Sequence, residues 1–100
     1  MEINYGHYIE KLKSGEEVKF SPKGNSMTPK IKSGQEIIIS PNINDLDKGD
    51  VVFCKIKGKF FVHLISAVKG KQYQISNNHG HVNGWIKKDK IFGKVVKIGE

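Results

Sequence analysis

From Glu17 to the end of the chain, apolar residues come only in short runs, each closed by a turn-forming residue. EVKFS alternates apolar and polar. QEIIIS follows the Ser33-Gly34 turn. GDVVFCKIK and FFVHLISAV flank Lys57-Gly58-Lys59, and KQYQIS follows Lys69-Gly70-Lys71. HVNGWIK is a weaker run, and IFGKVVKI is the last. Runs of four to eight residues at this spacing, rich in Val, Ile and Phe, predict strands, and many short strands predict a sandwich or small barrel. Only the start differs. Ile3, His7, Tyr8, Ile9 and Leu12 recur at a helical period, and Ser14-Gly15 supplies a stop, which predicts a helix over about 3–14. The expected architecture is a mainly β, compact sandwich-like or barrel-like domain over about 17–98 with one short N-terminal helix. One hundred residues suit a single domain, 1–100.

The composition excludes several classes. At 37% hydrophobic and 27% charged residues, the chain reads as globular and not disordered. No apolar run reaches the roughly 18–20 residues that cross a membrane, and the start lacks a signal-peptide pattern, so a cytoplasmic protein without a membrane span is expected. Cys54 is the sole cysteine, which removes any internal disulfide and any cysteine-based zinc site. The net charge is +7, and all 17 basic residues are lysine. Arginine, the side chain best suited to bidentate reading of guanine or phosphate, is missing. With the lysines dispersed along the sequence, they read as a solvated face before a nucleic-acid footprint.

The hairpin around Gly58 sets one side chain in a chemically useful place. With Gly58-Lys59 as a two-residue loop, His63 faces Cys54, Phe61 faces Ile56, and Ile65 faces Val52. Alternation along strands puts all six side chains on one face. An imidazole among such neighbours has its charged form disfavoured and its pKa lowered. A neutral imidazole near pH 7 is what a general base requires.

The second candidate is Ser26, in PKGNSMTPKI. A serine hydroxyl becomes a nucleophile only with a base in hydrogen-bond reach and donors for the oxyanion. Gly24 and Asn25 permit a sharp turn that exposes Oγ, and Pro29 fixes its exit. Against this stands the plain reading of a loop hydroxyl.

The order GNSMTPKIKSG, KGDVVF, FFVHLIS, IFGKVVKI resembles the signal peptidase I and LexA-like serine peptidase superfamily, from about Val18 to Ile98. The resemblance implies a mostly β fold and peptide-bond cleavage by a serine with a lysine or, in the endoplasmic-reticulum and archaeal types, a histidine base. It makes Ser26 the nucleophile and His63 the base, with the Ser26 backbone N–H holding the oxyanion. In the histidine type an Asp in a Gly-Asp-Asn box orients the imidazole. The nearest match here is Ser76-Asn77-Asn78, which puts Asn77 in that role. Leu64 replaces the arginine that follows the base. With no anchor, no DNA-binding domain ahead of Ser26 and no Ala-Gly or Cys-Gly bond, neither a resident signal peptidase nor a self-cleaving repressor is expected. The resemblance implies a peptide or protein substrate and no metal or cofactor. The rival reading is a binding module that keeps the fold without the chemistry and takes a peptide strand at a sheet edge.

The remaining features have bland alternatives. His79-Gly80-His81 could form one side of a metal site or a solvated loop. Cys54 could pair with His63 or simply fill the core. Tyr73, Phe60 and Trp85 could stack bases or pack inside. Asp50 shapes a turn before it serves catalysis, and Tyr5, Tyr8 and Leu12 pack the helix on the strands or form a groove for a substrate or partner.

Overall fold

The structure, a computed structural model, describes residues 5–99. Ile3, the first apolar position of the expected helix, lies outside the described residues. Helix α1 spans Tyr5–Lys13. Its end is a Schellman motif. Gly15 has φ +91°, its N–H donates to Leu12 O at 3.1 Å, and the Glu16 N–H donates to Lys11 O at 3.0 Å.

Seven strands follow: β1 Val18–Phe20, β2 Ile37–Ser40, β3 Val51–Ile56, β4 Lys59–Lys69, β5 Gln72–Ser76, β6 Val82–Lys87 and β7 Ile91–Ile98. A 3-10 turn, Lys88–Lys90, joins the last two. The fold is mainly β with one short helix, as the sequence predicts. All strands join one antiparallel sheet in the order β1-β2-β7-β3-β4-β5-β6.

The sheet has a core on each side of β3. Val51 and Phe53 join Leu12, Val18, Phe20, Met27, Ile31, Ile37 and Ile39 beneath α1. Val52, Cys54 and Ile56 join Ile65, Ile75, Ile86 and Ile91 on the other side. Burial on both faces explains why VVFCKI reads as a continuous apolar run. Around the second core the sheet curls until β6 meets β3, with Gly84 facing Ile56. Aromatic rings fill much of the first core. Tyr5 stacks on Phe60 at 4.8 Å between centroids, and Tyr8 stacks on Phe20 at 4.8 Å. Gly93 is the tight point of the sheet. A Cβ there would lie 2.8 Å from Ser40 O and 3.2 Å from Leu12 Cδ2, and would also meet Ile39.

The β3–β4 hairpin differs from the expected register by two residues. Ile56 pairs with Lys59, Cys54 with Phe61, and Val52 with His63. The loop is Lys57-Gly58, with φ +50° and +81°. A two-residue turn of this hand needs positive φ at both positions and favours glycine at the second, which moves the loop one residue back. A slip of two preserves the face, because side chains alternate with period two. His63 therefore still lies on the face of Val52, Cys54 and Ile56.

Candidate functional site

Ser26 lies in the long loop between β1 and β2. Apolar anchors fix that loop: Met27 and Ile31 are buried in the first core on either side of the Thr-Pro pair. Gly24, at φ +109°, makes the bend that the Gly-Asn pair predicts, and its N–H donates to Ser33 Oγ at 3.0 Å. Ser26 itself is exposed. Anchored neighbours and an exposed hydroxyl are what a presented nucleophile needs.

The segment after β5 holds this loop from the other side. The Asn78 N–H donates to Ser26 O at 2.8 Å. Asn78 Nδ2 donates to Thr28 O at 3.0 Å, and His79 Nε2 donates to Asn25 O at 2.9 Å. A carbonyl only accepts, so the His79 proton sits on Nε2. Three carbonyls of the serine loop are thereby turned toward residues 78 and 79. His79 is thus a tie between loops. Among the described residues, no group of three metal-ligating side chains occurs.

His63 comes from β4 and is 5% exposed. Its Nε2 lies 3.0 Å from Ser26 Oγ. Its Nδ1 lies 2.6 Å from Asn83 Oδ1. The amide oxygen accepts, so Nδ1 carries the ring proton and Nε2 offers a lone pair to the Ser26 hydroxyl. Burial lowers the His63 pKa from its ordinary value. The Asn83 hydrogen bond opposes that shift, and the charge of nearby His81 adds to it. The ring is neutral near pH 7, with its free nitrogen aimed at the serine.

Asn77 does not fill the orienting place expected for it. Its Oδ1 accepts from the N–H groups of His79 at 2.8 Å and His81 at 3.0 Å, closing the loop that leads into β6. The amide at His63 Nδ1 is that of Asn83, and a β-bulge delivers it. Ser76 pairs with Val82 and Ile75 with Gly84, so Asn83 is the extra residue. A bulge re-aims a side chain out of the strand alternation. Gly84, at φ +149°, supplies the irregular backbone beside it. The Asn-Gly pair inside HVNGWIK is the sequence signal that points to such a bulge.

A cleft of about 110 Å³ adjoins the pair, lined by Tyr5, Pro22, Met27, Ile31, Phe60 and Val62 among others. Apolar side chains share its lining with Lys23, Gly24, Ser26 and His63, so it offers both apolar and polar surface. β4 pairs with β5 only from Leu64 onward, so on that side Phe60–His63 has no strand partner in the described sheet. Cys54 packs in the second core, and burial pushes its thiol up to about 12. Asp50 accepts from the Asp47 N–H at 2.8 Å and faces Lys94 Nζ at 3.4 Å, so it shapes the turn before β3. Among the described residues, no helix is long and apolar enough to cross a membrane.

A family model described as Peptidase S24-like matches residues 10–96, which covers the helix end, the serine loop, the first six strands and most of β7. No curated protein matches the chain.

Proposed function

We infer that this chain, which belongs to the peptidase S24-like family, hydrolyses a peptide bond with Ser26 as nucleophile and His63 as general base. The observation that carries the reading is the 3.0 Å contact between Ser26 Oγ and His63 Nε2, with Nδ1 held by Asn83. A substrate strand lies along the unpaired side of Phe60–His63 and adds to the sheet there. Its side chains enter the cleft beside Met27 and Phe60. Ser26 Oγ attacks the carbonyl carbon while its proton passes to His63 Nε2. The oxyanion is held by the Ser26 backbone N–H. Collapse breaks the C–N bond, and the Nε2 proton goes to the leaving amine. Water then attacks the ester, giving a proton to Nε2; collapse breaks the ester C–O bond, Nε2 returns that proton to Ser26 Oγ, and the acid product leaves.

Asn83 sets the pace of this cycle. Its amide fixes the correct tautomer in the resting site. It does not stabilise the imidazolium that forms in each step as a carboxylate would. In the Ser-His-Asp peptidases the carboxylate both sets the tautomer and stabilises the imidazolium, and here the amide fills only the first of these roles. The proposed activity is accordingly slow.

A labelling experiment tests the reading without a known substrate. A fluorophosphonate accepts the Ser26 oxygen at phosphorus and loses fluoride, while His63 takes the hydroxyl proton. Intact-mass analysis is expected to find one adduct, mapped to Ser26, and none in Ser26→Ala or His63→Ala. No adduct on the folded wild-type chain would overturn the hydrolytic reading. The same neutral amide at Nδ1 favours the second reading, a binding module that accepts a peptide strand along β4 without cutting it. A captured peptide that is held equally well by Ser26→Ala, with no wild-type turnover, would identify that module.

A further inference from the structure

The charge of the chain is divided unevenly. Residues 1–50 hold seven lysines and eight acids, whereas residues 51–100 hold ten lysines and two acids. Such asymmetry marks contact with a polyanion. The fold concentrates it further, so dispersal along the sequence does not survive as dispersal in space. Two depressions adjoin at the end of the sheet where β6 runs into the 3-10 turn. Lys71, Lys87 and Lys88 surround Tyr73 in one. Lys57, Lys87 and Lys90 surround Trp85 in the other. Lys87 and Asp89 line both, and Asp89 is the one acid in either lining. Lys55 also lines the second, but its ammonium lies over the Phe60 ring at 5.1 Å. Trp85 is the only tryptophan of the chain and is 43% exposed on β6, at the edge of the sheet.

We propose that this lysine-ringed face around Trp85 binds single-stranded nucleic acid without sequence preference. Five ammonium groups, with one carboxylate among them, complement a run of phosphates. An exposed indole offers a stacking surface that any base can use. The absence of arginine removes the side chain that reads base edges in pairs, which suits contact with the backbone alone. A lipid surface fits less well. Insertion into the headgroup boundary needs a broad apolar face, and here Tyr73 and Trp85 stand among lysines. An acidic protein would answer the charge but gives the indole no partner.

The experiment reads Trp85 directly. Its fluorescence is titrated with a dT oligomer of about 16 nucleotides at low salt, and separately with phosphatidylglycerol vesicles. Saturable quenching by the oligomer is expected. With about four phosphates neutralised, affinity falls about fifty-fold between ~50 and ~200 mM salt. Lys71→Gln, Lys87→Gln and Lys90→Gln together, with folding checked by circular dichroism, lower the salt slope by about 2. Three results would each overturn the proposal. One is no quenching at low salt. Another is a slope unchanged in the triple variant. The third is a blue shift with vesicles and no response to dT, which assigns the face to a lipid surface. The oligomer has no peptide bond, so the outcome is independent of the hydrolytic reading.

Discussion

Asn83→Asp is the most informative single change. It places a carboxylate where the amide oxygen now lies 2.6 Å from His63 Nδ1. The size of the effect follows from charge. At about 4 Å and an effective dielectric of about 20, two unit charges attract by roughly 4 kcal/mol. Asn83 is half-buried, so part of that gain is offset by desolvation of the new carboxylate. A rise of about 1–2 pKa units for His63 remains, within the range for a histidine beside an acid. The sign has two consequences. In the proposed mechanism the base is the neutral ring, so the activity midpoint moves to higher pH. The imidazolium of the transition state is stabilised, so the plateau above that midpoint rises about 10- to 100-fold. The assay is the rate of fluorophosphonate labelling across pH 5–9, with the His63 ring followed by NMR over the same range. In wild type, labelling rises through a midpoint below the ordinary histidine value, because burial lowers that pKa. A variant whose midpoint and plateau both stay unchanged would refute the argument that Asn83 acts through the imidazole. A higher midpoint with an unchanged plateau would leave Asn83 as a structural partner alone.

Three further outcomes follow from the same geometry. His81→Gln removes a cationic neighbour that lowers the His63 pKa, so the labelling midpoint shifts upward, a direction opposite to that of a deeper burial of the ring. Gly93→Ala forces a methyl against Ser40 O, Ile39 and Leu12, and overpacking of this kind costs about 1–3 kcal/mol, read as a lower urea midpoint with unchanged slope. Cys54 stays unreactive toward an aromatic disulfide reagent in the native state, because burial holds its thiol near 12, and it reacts at the rate of unfolding in denaturant.

Much of the fold was legible because short β runs and their turns are local signals. Each run named in the sequence became a strand, including the weak HVNGWIK, which forms β6. The hairpin register was not legible, because Gly58 can serve as the first or second residue of a two-residue loop. The conformation of Lys57, at φ +50°, decides between them. The face of His63 survived the error because two residues are one full period of a strand. The Ser26–His63 contact was anticipated from the resemblance of the boxes, not from spacing, since 37 residues separate the two. Their meeting depends on Met27 and Ile31 burying the serine loop in the first core while β4 carries His63 on the second.

Asn83 was missed for a reason that bears on how the site works. Strand alternation assigns side chains to faces, and a bulge is a break in that rule. The residue that holds the His63 ring therefore stands where the pattern fails, next to Gly84 at φ +149°. A carboxylate supplied from the strand exit would have needed no such break, but in this chain that exit has another task. Asn77 ties the 77–81 turn together, and Asn78 and His79 grip the carbonyls of Asn25, Ser26 and Thr28. The exit holds the Ser26 loop, and the bulge on β6 holds the His63 ring. Placing the two supports on different elements means that each can be altered separately. Loss of the His79 tie should loosen Ser26 without moving the His63 titration, whereas changes at Asn83 should move that titration and leave the serine loop in place.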